Sequence, residues 1–395
     1  MRTVGDRVVV IGGGLVAATV ARELRTAGYA GQLTLLGDEV HPPYDRPPLS
    51  KQLLSGALST DGVALFRPGE VGELDVELLL GLPAVSVNST AREVRTADGA
   101  QHAYTTAVIA TGARVRRIGS IPTIAGVHYL RSLDDSLLLA SGLRPGARVV
   151  VVGAGFIGLE VAAVAHTIGC TVTVVESAPR PLTRVLGEDV GDIVSALHAE
   201  RGVNIRCSAA VTDIIGGAAL EGVVVNGEIV PADLMLVGVG AMPNTEWLDG
   251  SGVLVDNGVV CDASGRTTVP GIFAAGDVSR WRNARTGEQR RVEQWQSAVD
   301  QALVVARVIA RPEVPCVWDA VPYFWTDQYD RKFQMCGVAG PDVYRRTTAR
   351  GEVVCFGADG LLTGVLSVGN PRALAQGRRL VGTSWDGALA WVNQL

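Results

Sequence analysis

Val8-Val9-Val10-Ile11-Gly12-Gly13-Gly14-Leu15-Val16-Ala17 stands close to the start of the chain. Four apolar residues in a row read as a strand buried on both faces, and the glycines stop it in a tight turn. An Ala-rich helical segment, Val16–Ala27, comes next, then a second apolar strand, Leu33–Leu36, and then Asp38. Strand, glycine turn, helix, strand and acid is the order of a dinucleotide-binding unit. The glycines let the backbone approach a pyrophosphate, the helix N-terminus faces it, and the acid accepts from the adenosine ribose hydroxyls. Ala17 stands where a third glycine is commonest, a replacement the pattern permits.

The same order recurs in residues 145–176. Val149-Val150-Val151-Val152 leads into Gly153-Ala154-Gly155-Phe156-Ile157-Gly158, and Val172–Val175 ends on Glu176. One such unit marks a nucleotide-binding protein. Two predict a protein that holds two dinucleotides and passes electrons between them. Glu176 would repel a ribose 2′-phosphate and no arginine immediately follows it, so the second unit is expected to prefer NADH over NADPH.

The bulk of the chain narrows the class. At 395 residues, with 47% hydrophobic, two or three domains are expected. A net charge of -5 argues against general nucleic-acid binding. Basic character is almost all arginine, Lys51 and Lys332 being the only lysines. Cys170, Cys207, Cys261, Cys316, Cys336 and Cys355 form no close pair. They read as reduced thiols of a cytoplasmic protein, not as a redox dithiol or a metal or iron–sulfur frame. The five histidines, His41, His102, His128, His166 and His198, are scattered and suggest no metal site. The N-terminal apolar run is a first strand rather than a signal peptide, and no stretch has the apolar length to span a membrane.

Other segments fill in the layout. His41 to Lys51 is proline-rich and reads as a rigid loop. Ala107-Val108-Ile109-Ala110-Thr111-Gly112 is a buried strand stopped by glycine, and Leu234–Val239 is a strand that leads to Pro243-Asn244. Gly271-Ile272-Phe273-Ala274-Ala275-Gly276-Asp277 is another strand, ended by glycine and an acid. Gln294–Ala310 reads as a helix. Near residue 317 the texture changes to an aromatic-rich segment, short strands and a terminal helix. The expected class is α/β: two Rossmann-like dinucleotide-binding domains plus a C-terminal α+β domain. The first domain is discontinuous, 1–112 with 240–316; the second is 113–239; the third is 317–395.

Five segments carry a wider resemblance. They are Pro43-Tyr44-Asp45-Arg46-Pro47-Pro48-Leu49-Ser50-Lys51, Ala110-Thr111-Gly112-Ala113-Arg114, Gly158-Leu159-Glu160, Ile272 to Asp277, and Val321-Pro322-Tyr323-Phe324-Trp325-Thr326-Asp327-Gln328. In this order they resemble the ferredoxin reductases of bacterial cytochrome P450 and Rieske dioxygenase systems, over nearly the whole chain. The resemblance implies a glutathione-reductase-type fold with FAD in the first site and NADH in the second. It places Gly12, Gly14, Leu15, Ala17, Asp38, Arg46, Lys51, Ala84, Thr111, Arg131, Asp277 and Trp295 on FAD. It places Gly153, Gly155, Phe156, Ile157, Gly158, Glu160, Glu176 and Gly240 on NAD. Lys51 and Glu160 are implied as the catalytic pair beside the flavin, with the lysine offsetting charge on the reduced ring.

The implied activity is an NADH-dependent reductase that passes single electrons to a 2Fe-2S ferredoxin serving a P450 or Rieske oxygenase. The lack of a dithiol agrees, since disulfide reductases of this fold use a cysteine pair. Alternatives on the same fold are an NADH oxidase or quinone reductase, and an apoptosis-inducing-factor-like redox-gated binding protein. Arg280, Arg282, Arg285, Arg290 and Arg291 crowd a segment read as a loop, which could steer an acidic ferredoxin. Arg345, Arg346, Arg372, Arg378 and Arg379 could extend it. Met242 and Ser297 depart from the family pattern, which usually has an arginine-like residue before Pro-Asn and Asn after Trp.

Overall fold

The strand Arg7–Ile11 lies at the centre of a five-stranded parallel sheet in a computed structural model that describes residues 5–395. The order is Ile272–Ala274, Thr106–Ile109, Arg7–Ile11, Gln32–Leu36, Glu77–Leu79. A central strand is covered on both faces, which is why its apolar run is unbroken. Val10 is fully buried and Ile11 is level with both Leu36 and Ile109. The helix Leu15–Thr26 packs against Trp295–Ala310 over this core. Ala84–Asn88, Glu93–Thr96 and Gln101–Ala103 form a separate small antiparallel sheet.

These elements belong to one of two compact units. The first unit holds the described residues up to Asp45, Asp61–Arg114 and Ala241–Ala320; the second holds Arg46–Thr60, Val115–Gly240 and Val321–Leu395. The second unit repeats the parallel arrangement: Asn204–Arg206, Thr171–Val175, Arg148–Val152, Leu234–Val237, Val127–His128. Helix Phe156–Ile168 follows the central strand, and Thr183–Ala199, kinked at Gly187, follows the next one. The same unit carries an antiparallel sheet ordered Tyr323–Gln328, Arg331–Gly337, Leu361–Val368, Gly351–Ala358, Asp342–Thr348.

Several local expectations change. The proline-rich segment is not all loop: Pro47–Ser50 is a 3₁₀ turn, because proline's fixed φ suits the first positions of a helical turn. The single terminal helix is two, Pro371–Leu380 and Trp385–Val392, each capped at its start by Asn370 or Ser384. The arginine-rich segment is a hairpin of Ser279–Arg282 and Gln289–Arg291. Its charge is largely answered within the unit, since Arg280 pairs with Asp256, Arg290 with Glu288 and Arg291 with Glu293. Arg282 and Arg285 have no carboxylate partner among the described residues.

Candidate functional site

The first glycine turn leaves no room for side chains where it meets the next strand. Gly12 has φ +132°, and a Cβ there would overlap the Ala110 carbonyl oxygen. Gly14 is the N-cap of Leu15–Thr26, with no side-chain cap and no acid in the first turn. The first-turn N–H groups, among them those of Leu15 and Ala17, are therefore left to an outside acceptor. Ala17 is fully buried, so the helix has space for one methyl at the position that glycine often holds. Asp38 is exposed just past the strand Gln32–Leu36 and makes no ion pair among the described residues.

The other first-unit residues frame this turn. Thr111 Oγ1 donates to the Asn244 carbonyl (2.8 Å), and Asn244 Nδ2 returns a bond to the Thr111 carbonyl (2.9 Å). Asn244 thus clamps the turn after Thr106–Ile109, a role that the Pro-Asn motif alone did not disclose. Asp277 is half-buried after Ile272–Ala274, and the neighbouring Gly276 N–H donates to Gln301 Oε1 (2.8 Å). Trp295 is the first residue of its helix, which also lacks a side-chain cap, and its Nε1 donates to Asp45 Oδ1 (2.7 Å). Ala84 opens the small antiparallel sheet and is half-buried. Of the two departures, Ser297 is buried and faces Gln294 Oε1 at 3.4 Å, while Met242 is half-buried in Ala241–Pro243.

In the second unit, the turn at Gly153 is closed in the same way. Its Cβ would overlap the Gly238 carbonyl oxygen, and a Cβ on Gly158 would overlap the Gly153 carbonyl oxygen. Here the helix and strand approach so closely that Gly153 and Gly158 are fixed, while Gly155 has open space around it. Gly155 caps Phe156–Ile168 without a side-chain bond. Phe156 packs on Phe324 with ring centroids 4.8 Å apart, and Ile157 is 42% exposed at the turn. Glu176 is buried, its Oε2 accepting from Ala154 N–H (2.7 Å) and its Oε1 from Ala178 N–H (2.8 Å). Gly240 has φ +105° with open space around it, so its backbone angle and not crowding selects glycine.

The second unit also brings the predicted charged residues together. Arg46 donates to the Arg131 carbonyl (2.6 Å), just ahead of the Ser132–Asp135 capping box of helix Leu133–Gly142. Lys51 Nζ lies 3.0 Å from Glu160 Oε1, with side chains only 11% and 6% exposed. Ser50 Oγ donates to Glu160 Oε2 and Thr326 Oγ1 donates to Oε1 (2.7 Å). The carboxylate thus meets one cation and two hydroxyls. Ser50 and Thr326 lie in the Pro43–Lys51 and Val321–Gln328 segments, and neither was expected at the site; their hydroxyls in those motifs were the available signal.

Next to this site lies a buried histidine. Burial pushes His198 down to about 4, against the hydrogen bond to Gln328, which favours the charged form. An unfolded histidine titrates near 6.5. Below about pH 6.5 the unfolded chain takes up a proton that the folded one refuses, so stability falls as pH drops toward about 4. The loss is expected to reach roughly 3 kcal/mol. Urea titrations at about pH 7.5 and about pH 5 check it; His198→Asn should lose part of the acid sensitivity, and an unchanged pH dependence would count against it.

Comparisons with known proteins extend over nearly the whole chain. The family pattern described as pyridine nucleotide-disulphide oxidoreductase matches residues 6–302, and that described as reductase C-terminal matches 323–387. The ferredoxin--NAD(+) reductase component of the p-cumate 2,3-dioxygenase system of Pseudomonas putida is 37% identical over 95% of this chain and 93% of its own. That of the anthranilate 1,2-dioxygenase system of Burkholderia cepacia is 38% identical over 95% and 94%. Among solved structures, the reductase of a covalent putidaredoxin reductase–putidaredoxin complex superposes with a TM-score of 0.93, at 30% identity, over 96% of this chain and 94% of that one.

Proposed function

Since the chain belongs to the pyridine nucleotide-disulphide oxidoreductase family, and within it to the ferredoxin–NAD(+) reductases, we propose that it carries electrons from NADH through FAD to a 2Fe-2S ferredoxin. The family implies FAD and NAD(H). The two glycine turns fit two dinucleotides: each sets an uncapped helix N-terminus behind a backbone that a Cβ would block. That pair of cradles is the observation that carries the proposal. In this reading residues 1–112 and 240–316 hold FAD, 113–239 hold the nicotinamide nucleotide, and 317–395 form the third domain. The ferredoxin would serve a P450 or a Rieske oxygenase, as the names of the relatives suggest.

When bound, FAD supplies the conversion of a two-electron donor to one-electron delivery. The protein's own part is to hold and to bias. Gly12, Gly14, Leu15 and Ala17 offer backbone N–H groups to a pyrophosphate. Arg46 and Arg131, in the second unit, carry guanidinium groups of the kind that suits a diphosphate. Asp38 is open to ribose hydroxyls, and Asp277, Thr111, Ala84 and Trp295 are the further residues assigned to FAD in this reading. Lys51, fixed by Glu160, supplies positive charge against the negative charge that reduction creates. Gly153, Gly155, Phe156, Ile157, Gly158 and Gly240 form the path of the nicotinamide nucleotide.

NADH is preferred because Glu176 stands at the ribose position, while nearby arginines are committed elsewhere. Arg180 pairs with Asp192 and Arg206 with Glu228, so no uncommitted guanidinium among them awaits a 2′-phosphate. Glu176→Ala is expected to cut the NADH over NADPH ratio of kcat/KM by about tenfold to a hundredfold. An unchanged ratio would place nucleotide choice elsewhere.

Thiols are poor candidates for the exit. All six cysteines are free, and burial pushes Cys336 up to about 11 and Cys355 up to about 12. NADH-driven reduction of cytochrome c with a panel of 2Fe-2S ferredoxins tests the proposal. Dependence of the rate on ferredoxin is expected; equal rates without any ferredoxin would refute it.

A further inference from the structure

Glu160 is the end of a longer line of hydrogen bonds. Thr326 Oγ1 lies 2.7 Å from Glu160 Oε1, and Gln328 Nε2 lies 3.5 Å from Thr326 Oγ1, the longest link. Gln328 Oε1 is 3.0 Å from His198 Nε2, and His198 Nδ1 is 3.0 Å from the Tyr329 hydroxyl. Thr326, Gln328 and His198 are each 0% exposed, so water does not compete for these bonds.

The chemistry of the end group fixes the direction of every bond. A carboxylate paired with Lys51 only accepts, so the Thr326 hydroxyl must donate its single proton to it. Thr326 Oγ1 then accepts from the Gln328 amide N–H. That leaves Gln328 Oε1 toward His198, whose Nε2 must carry the proton. His198 Nδ1 is then bare and accepts from the Tyr329 hydroxyl. All four dipoles point the same way, toward Glu160, and such aligned bonds strengthen one another in a dry interior.

The far end is held at a cost in backbone strain. Tyr329, in the two-residue turn between Tyr323–Gln328 and Arg331–Gly337, has φ +56°, an uncommon angle for a bulky residue. Its ring is fixed by His198 (5.1 Å), by His166 (5.9 Å) and by the Arg201 guanidinium (4.5 Å). Arg201 in turn pairs with Asp330. These are the charged and titratable groups around His198, and they hold the hydroxyl on Nδ1.

We propose that Gln328 and His198 are positioning residues for Glu160: they orient the Thr326 hydroxyl and so hold the carboxylate on Lys51. This rests on the reading of Lys51 and Glu160 given above. Neither residue touches a nucleotide in this account; both act through Thr326.

The test has two arms, both on the flavin-loaded full chain. In the first, 15N-histidine NMR reads the tautomer of His198, expected as the Nε2–H form and unchanged from about pH 8 to about pH 5. An Nδ1–H form, or an even mixture, would overturn the chain's direction and with it the proposal. In the second, stopped flow reads reduction of the flavin by NADH. Thr326→Val is expected to slow it about tenfold and Thr326→Ser to restore it, while Gln328→Met and His198→Leu slow it about fivefold. The NADH dissociation constant should stay the same in all of them, which a general loss of structure would not allow. Full rates in Gln328→Met and His198→Leu beside a slow Glu160→Gln would remove only this inference. A full rate in Glu160→Gln would remove the reading of Glu160 itself.

Discussion

Lys51→Met is expected to slow reduction of the flavin by NADH about a hundredfold. The side chains of the pair are almost wholly buried, with Nζ 3.0 Å from Glu160 Oε1. Removing the cation leaves a buried carboxylate answered, among the described residues, by the Ser50 and Thr326 hydroxyls. Breaking such a pair from one side costs about 3–5 kcal/mol of stability. Stability and rate are separated by a second variant. Lys51→Met combined with Glu160→Leu removes both charges, so it should regain most of the stability while remaining slow. Thermal melts and stopped flow on the single and double variants check this. A double variant that regains the rate as well would make the pair a packing element.

Gly12→Ala is expected to yield protein without flavin, less stable by about 3 kcal/mol or more. Two independent causes act together. The φ of +132° is closed to a residue with a Cβ, and that Cβ would overlap the Ala110 carbonyl oxygen. The obstacle is backbone of the adjacent strand, which also carries the sheet, so it cannot swing aside as a long side chain would. Absorbance of the purified variant and its urea midpoint are the measurements. Gly14→Ala serves as the control: it has no positive φ and nothing within 4 Å of its Cβ, so it should fold. Flavin retained at wild-type occupancy in Gly12→Ala would remove this turn from the FAD site.

The parts of the fold that sequence discloses are those set by local rules. Unbroken runs such as Val8–Ile11 and Val149–Val152 announce central parallel strands, because burial on both faces demands it. The glycines between strand and helix carry the same message, and Gly158 shows why: no other side chain fits against Gly153. Long-range placement is not carried by such patterns. The excursion Arg46–Thr60 leaves the first unit at Asp45 and packs with the second, a choice made by tertiary contacts and not by its prolines. The hairpin at Ser279–Arg282 lay hidden because a cluster of arginines reads as solvated loop, while alternate residues such as Trp281 are buried. Thr326 reaches Glu160 across 166 positions, a meeting decided by how the C-terminal sheet seats on helix Phe156–Ile168. Arginine pairing with Asp256, Glu288 and Glu293 also narrows any docking role of that segment to Arg282 and Arg285.

Two similar turns end in different acids, one exposed and open at Asp38, one buried and already bonded at Glu176. The contrast fits a resident FAD at the first and an exchanging NADH at the second. Anaerobic double-mixing stopped flow tests this division most directly: NADH first, then an oxidised 2Fe-2S ferredoxin, with air as the competing acceptor. Rapid loss of the yellow absorbance on the first mix is expected, followed by its return with ferredoxin far faster than with air. Return with air as fast as with every ferredoxin tried would contradict a reductase whose electrons end on a separate iron–sulfur protein.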